Sequence, residues 1–80
     1  MTTFYNEIAV PGQGDYIFSF SDSLSIAGEL CIVFVLDQKH KVYRIKMKQI
    51  DGVWNIVNAK ELPEWILELE TELSKAISDQ

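Results

Sequence analysis

The feature that most constrains this chain is an uninterrupted apolar stretch at residues 30–36, with the sequence LCIVFVL. The stretch is rich in β-branched and aromatic residues, which favours a β-strand, and both of its alternating sets of side chains are apolar. Because such a strand aggregates when it is left exposed, something has to cover both of its sides. It is also far shorter than the roughly twenty residues that cross a bilayer as a helix.

Length and composition indicate one small globular domain, which we assign to residues 1–80. The chain is 48% hydrophobic and 24% charged, values that exclude a disordered or low-complexity protein. Cys31 is the sole cysteine, so no intramolecular disulfide can form. Residues 1–7 lack the basic start and apolar run of a signal peptide. We therefore predict a cytoplasmic protein.

Two alternating segments before the apolar stretch predict a β-hairpin. On each segment one parity is mainly apolar and aromatic, and these positions are Phe4, Ile8, Val10, Tyr16, Phe18 and Phe20. Between the two segments lies the turn sequence PGQGD at residues 11–15. Residues 22–28 contain several serines that can bond the backbone locally, so we predict a loop or a short helical turn there.

A second hairpin is predicted around Asp51-Gly52, the residue pair most typical of a two-residue turn between strands. That turn pairs Met47 with Ile56 and Gln49 with Trp54. For the preceding connection, a two-residue turn at Lys39-His40 or a four-residue loop would place Phe34 opposite Ile45 and Ile32 opposite Met47. The three strands then share one predicted core face, comprising Ile32, Phe34, Leu36, Tyr43, Ile45, Met47, Trp54 and Ile56.

The C-terminal segment predicts an amphipathic helix that begins at Pro63, a residue favoured at the first helical position. Its apolar stripe follows the three-four spacing of a helix and contains Leu62, Trp65, Ile66, Leu69, Leu73, Ala76 and Ile77. Leu67 lies off the stripe, which indicates either a wider buried face or a contact outside the domain. The predicted fold class is α+β: an antiparallel β-meander of about five strands with one C-terminal α-helix packed across one face.

Residues with catalytic potential are few and lack suitable partners. His40 lies in a predicted turn between Lys39 and Lys41, whose charges would repel a metal ion. Cys31 lies within an apolar strand, where a thiol is unreactive. The glutamates of the helix lie opposite its apolar stripe, facing water. We therefore predict no enzymatic activity, no catalytic residue, no cofactor and no metal site, although activity as a subunit of a complex stays open.

The net charge of −5 conceals an uneven distribution. Residues 39–48 carry five basic side chains and no acidic one, whereas residues 1–38 and residues 49–80 each carry a net −5. In the predicted register, Arg44, Lys46 and Lys48 project from the sheet face opposite the helix. Their predicted neighbours there include Val33, Val35 and Val57, so the face is both apolar and basic.

Three interpretations of that face follow from the sequence. In the first, the aliphatic stems of the basic side chains cover the valines. In the second, the first two strands fold over this face. In the third, the face binds another protein or a second copy of the chain. We adopt docking, which predicts a non-catalytic protein-binding or self-associating module of inhibitor, immunity or adaptor type. The predicted partner-binding residues are Val33, Val35, Arg44, Lys46, Lys48 and Val57.

Other partners are less consistent with the sequence. Net acidity and the core parity of Tyr43 oppose nucleic-acid binding, and the acidity also opposes binding to anionic membranes. The alternative function is a small-ligand-binding domain with a pocket between helix and sheet, lined by Tyr43, Met47, Trp54 and Trp65.

Overall fold

The computed structural model describes residues 2–25 and 28–79, with side chains described for residues 3–21 and 30–79. Its elements are β1 (Thr2–Val10), β2 (Gly14–Ser25), β3 (Gly28–Leu36), β4 (Val42–Ile50), β5 (Val53–Ile56), a 3₁₀ turn (Ala59–Glu61), α1 (Glu64–Leu67) and α2 (Glu70–Ser78). The strands form one antiparallel sheet in the order β1-β2-β3-β4-β5, and the C-terminal helix packs against it. The predicted α+β meander is confirmed.

The first hairpin has the predicted inward residues but extends further than predicted. Ile8, Val10, Tyr16, Phe18 and Phe20 are all buried. Residues 22–25 continue β2 and residue 28 begins β3, so the predicted loop or helical turn at these positions is wrong; residues 26 and 27 lie outside the described residues. The hairpin adds to the edge of the same sheet and does not fold over its second face.

The second hairpin is confirmed in both its turn and its register. Asp51 and Gly52 have φ values of +53° and +82°, in the left-handed region that a type I′ turn requires. Met47 pairs with Ile56 and Gln49 pairs with Trp54.

The predicted register of β3 against β4 is wrong by one residue, which exchanges the two faces of β3. Val33 lies opposite Ile45, and Phe34 lies opposite Arg44. The cause is the connecting loop, which has neither of the predicted lengths. The His40 N–H bonds the Asp37 carbonyl at 3.0 Å, and His40 adopts a φ of +64°. The Asp37 N–H bonds the Lys41 carbonyl at 3.0 Å, so the loop between these two paired residues consists of the three residues 38–40. Compared with a two- or four-residue loop, a three-residue loop shifts the register by one residue and moves every side chain of β3 to the opposite face of the sheet.

The core therefore lies between the helices and the faces of all five strands that turn toward them. The central strands contribute Cys31, Val33, Val35, Ile45 and Met47, all of them at most 2% exposed. The predicted helical stripe is confirmed, since Ile66, Leu69, Leu73 and Ile77 are buried and Leu62, Trp65 and Ala76 are partly buried. The helix itself is broken between α1 and α2, where the Leu69 N–H bonds the Ile66 carbonyl in a 3₁₀ arrangement.

The domain consists of two layers. Its shortest extent is 19 Å, which is enough for one sheet and one layer of helix, and its longest is 36 Å. Among the described residues, no helix combines the length and the apolarity that crossing a membrane requires.

Candidate functional site

The sheet face that points away from the helices is the candidate functional site, and we call it the open face. Side chains alternate across a strand, so the register of the five strands fixes which of them share this face. Its described apolar members are Tyr5, Ala9, Ile17, Leu30, Ile32, Phe34, Leu36, Val42, Ile50, Val53 and Val57, and its charged members are Glu7, Asp15, Arg44, Lys46 and Lys48.

The apolar side chains of the open face form a contiguous patch across β1 to β4. One row of paired residues crosses the sheet from Tyr5 through Ser19 and Phe34 to Arg44. Beside it, Ile17 pairs with Glu7, and Leu36 pairs with Val42. Exposure is 71% for Tyr5, 63% for Ile17, 40% for Phe34, 53% for Leu36 and 57% for Val42. Isolated exposed apolar residues are ordinary on a protein surface, whereas a contiguous group usually marks a contact with another molecule.

Charge divides the open face into two sides. Arg44, Lys46 and Lys48 project from β4, and we call these three residues the basic strip. Lys46 and Lys48 are half-buried, because their stems lie beside Ile32 and Leu30 on β3. At the opposite side, β1 carries Glu7. The apolar patch therefore lies between an acidic edge and a basic one.

Four of the six predicted partner-binding residues lie on this face, and two do not. Arg44, Lys46 and Lys48 project from it as the sequence predicts, and Val57 is 52% exposed beside Lys46. Val33 and Val35 were placed there by the wrong register of β3, and they are buried beneath the helices at 0% and 2% exposure. Ile32, Phe34 and Leu36, which the sequence analysis predicts to be core residues, lie on the open face instead.

The side chains proposed to line a ligand pocket instead fill the space between helix and sheet. Met47 is fully buried and Trp54 is 5% exposed. The Trp65 ring packs edge-on against Tyr43 at 5.7 Å and against Tyr16 at 5.5 Å between centroids. This arrangement is a packed aromatic core, in which edge-to-face ring contacts add stability.

The end of the sheet beside the β3–β4 loop is held by polar contacts. Asp37 Oδ1 accepts the backbone N–H of Lys39 at 2.8 Å and that of Lys41 at 2.9 Å. These bonds, foremost the one from Lys41, lower the pKa of the Asp37 carboxyl below its usual value. Gln38 Nε2 donates to the Gln13 carbonyl at 2.8 Å, which ties this loop to the β1–β2 turn. The contacts explain why the loop sets the register of β3.

The fold places Cys31 and His40, two side chains that the sequence analysis weighed for catalysis, in different parts of the domain. Cys31 is buried in β3, and His40 lies in the exposed loop between two lysines. In the parts of the chain that the structure describes, no three histidine, cysteine or acidic side chains cluster closely enough to hold a metal ion. Comparisons with models of protein families, with curated proteins and with solved structures found no match to this chain.

Proposed function

We propose that this chain is a non-catalytic binding module that self-associates by stacking its open face on that of a second copy. The observation that carries the proposal is the contiguous group of Tyr5, Ile17, Phe34, Leu36 and Val42, each at least 40% exposed on one side of a two-layer domain. Burying apolar area of this kind stabilises a complex by about 25 cal/mol per Å² before the cost of association is subtracted. A sequence with one cysteine cannot form an internal disulfide, which is consistent with the reducing cytoplasm we predict for the chain.

The charges favour a second copy as the occupant. When two sheets stack about a two-fold axis that runs along the strands, between β2 and β3, the β1 strand of one copy lies over β4 of the other. Glu7 of each copy then comes close to Arg44 of the second copy, and the Tyr5 ring can form a cation–π contact with the same guanidinium. A two-fold axis across the strands would instead place one basic strip over the other, which repulsion disfavours.

The expected affinity is moderate. The exposed patch covers four strands and about five residues along each, or roughly 19 Å by 17 Å. Stacking two such patches with their charged rims buries on the order of 1,000 Å² in total, at the lower end of specific interfaces. We therefore expect a dimer with a dissociation constant in the micromolar range, because an interface of this size rarely does better without deep anchoring pockets.

A charge-swap experiment tests both the interface and its orientation. Size exclusion with light scattering should detect the wild-type dimer, and the double variant Arg44→Glu/Lys46→Glu and the single variant Glu7→Lys should each be monomeric because like charges then meet. Mixing the two variants restores opposite charges at both contacts, so a heterodimer should form. The circular dichroism spectra should all match that of the wild type.

Controls separate the open face from general charge effects. The variant Lys39→Glu/Lys75→Glu changes the net charge by the same amount as the basic-strip variant but lies off the open face, and it should remain dimeric. Ile17→Ser should weaken the dimer, whereas Leu67→Ser, at an apolar helix residue with 36% exposure, should not. A wild type that stays monomeric across the micromolar range contradicts self-association. If the basic-strip variant and Glu7→Lys each still form dimers on their own, and mixing them produces no additional dimer, the proposed orientation is wrong.

A further inference from the structure

The two edges of the sheet are treated differently by the rest of the chain. At the β5 edge, helix α2 supplies acceptors for the outward backbone groups. The Trp54 N–H bonds Ser74 Oγ at 3.2 Å, and the Ile56 N–H bonds Glu70 Oε2 at 2.8 Å. Satisfying outward N–H groups in this way prevents another strand from pairing there.

The β1 edge has no comparable cover. Strand β1 is nine residues long and pairs with β2 alone. The N–H and C=O groups of every second residue in β1 therefore point outward, away from β2. Within residues 2–25 and 28–79, no side chain or loop backbone bonds that outer side. The strand also lacks the lysines, prolines and bulges by which edge strands usually discourage pairing.

A groove runs along this edge, between β1 and helix α2. Its volume is about 640 Å³. The β1 side is formed by residues 6–9, and the helix side has Leu69 and Ala76 as its apolar part. Residues 6–9 line the groove over about 10 Å and the helix side lines it over about 15 Å, which is enough to hold three or four residues of extended chain.

Acidic side chains dominate the helix side of the groove. Glu68, Glu72 and Asp79 line it, against one basic residue, Lys75. Glu68 lies at the break between α1 and α2, and Glu72 lies four residues further along, in α2. Alternate side chains of an extended strand project to the same side, so two basic residues separated by one position can approach this pair of carboxylates together.

We propose that the β1 edge binds an extended basic segment of another protein as a sixth strand. The segment's backbone would pair with the outer side of β1, and its basic side chains at alternate positions would face Glu68 and Glu72. The occupant comes from a different protein, because the basic stretch of this chain is β4, which is paired with β3 and β5 within the sheet. The site shares Glu7 with the open face, but its backbone pairing along β1 and its helix carboxylates lie outside that face.

Nuclear magnetic resonance titration with a designed peptide tests the proposal. The probe is a seven-residue peptide of alternating Val and Lys with blocked ends, added to the isotope-labelled wild type at low ionic strength. The largest amide shifts should fall on residues 6–9 of β1 and on α2. A peptide of alternating Val and Glu, and a Val-Lys peptide with Pro at its centre, should both bind at least tenfold more weakly, the first by repulsion and the second by loss of backbone pairing.

Variants of the helix identify the carboxylates that are used. Glu68→Lys/Glu72→Lys should weaken binding of the Val-Lys peptide about tenfold or more. Glu64→Lys/Glu61→Lys changes the charge equally and lies outside the groove, so its affinity should stay within about twofold of the wild type. Equal weakening by both double variants, equal binding of the proline peptide, shifts confined to the open face, or no binding to the folded wild type would each overturn the proposal.

Discussion

The amide of Asn58 takes the place of a strand residue beside β4, just beyond the end of β5. Asn58 Oδ1 accepts the Lys46 N–H at 2.9 Å, and Asn58 Nδ2 donates to the Arg44 carbonyl at 2.9 Å and to Glu61 Oε2 at 3.0 Å. The neighbouring Val57 N–H bonds the Lys46 carbonyl at 2.9 Å. One side chain therefore holds the backbone of two residues of the basic strip.

Replacing this amide should destabilise the fold by an amount that can be worked out from its bonds. Asn58→Ala removes two bonds to backbone groups and one to a carboxylate, each with a net value of about 1 kcal/mol. Asn58 is half-buried, so water can replace part of what is lost, and we expect a loss of about 2 kcal/mol. For a domain of this size that loss lowers the melting temperature by roughly 10 °C.

The isosteric change Asn58→Asp makes the same test without a change of volume. One carboxylate oxygen still accepts the Lys46 N–H, but the other replaces a donor and faces the Arg44 carbonyl and the Glu61 carboxylate. We expect a destabilisation at pH 7 at least as large as that of Asn58→Ala. Part of it should be recovered below about pH 4, where a protonated carboxyl can donate again.

Thermal and urea unfolding measure these losses, with Asn55→Ala as the matched control. Asn55 Nδ2 donates only to the Val53 carbonyl of its own strand at 3.0 Å, at an exposed position, so its replacement should cost well under 1 kcal/mol. The reasoning is wrong if the free energy of unfolding of Asn58→Ala lies within about 0.5 kcal/mol of the wild-type value, or if that of Asn58→Asp equals the wild-type value at pH 7. In either case the amide does not stabilise β4.

Two further predictions concern the turns. The Lys41 and Lys39 N–H groups lower the pKa of Asp37 in the folded state, so its contribution to stability is present above about pH 4 and is lost as the pH falls through the folded pKa. Asp37→Asn should therefore flatten the loss of stability measured between about pH 4 and pH 2, and an unchanged slope would contradict this. His40→Gly should stabilise the fold by about 0.5 kcal/mol, because His40 has a φ of +64°, which glycine adopts without strain. Gly52→Ala should destabilise the fold by about 1 kcal/mol, because Gly52 has a φ of +82°. Unfolding curves that show the reverse order of stability would refute the argument.

The strands and the helix that sequence reasoning located correctly are those with a strong local pattern. Strand β4 alternates between apolar and basic residues, so burying its apolar set leaves a single orientation. The Asp51-Gly52 pair then determines the register of β5 through its backbone conformation. The apolar stripe of the helix likewise predicts which residues it buries, although the break between α1 and α2 carries no comparable signal.

Strand β3 could not be oriented from its own residues, because both of its faces are apolar. Its orientation depends on the loop before β4, and there on a single residue, His40, that adopts the left-handed conformation without being glycine. Histidine gives only a weak signal for that conformation. For this reason alone the sequence places Val33 and Val35 on the wrong face of the sheet, whereas Arg44, Lys46 and Lys48, whose strand has a clear pattern, lie on the predicted face.

The position of the first two strands was beyond sequence reasoning for a different reason. Alternation predicts which side chains of a hairpin are buried, but not whether the hairpin extends a sheet or folds over it. The long pairing between β2 and β3, from Phe18 with Val35 to Ser25 with Gly28, decides this, and the serines near its end carry a turn signal that this pairing overrides.

The orientation of β3 itself bears on the proposed function. The side chains turned to the helices are Cys31, Val33 and Val35, whereas the open face receives the larger Ile32, Phe34 and Leu36. In an isolated domain the reverse choice would bury more apolar area, by several methylene groups at about 0.8 kcal/mol each. The loop at residues 37–41 nevertheless fixes the orientation that exposes the larger set. A second copy stacked on the open face would recover this area on association, so we expect variants that weaken the dimer to also lower its melting temperature in a concentration-dependent manner.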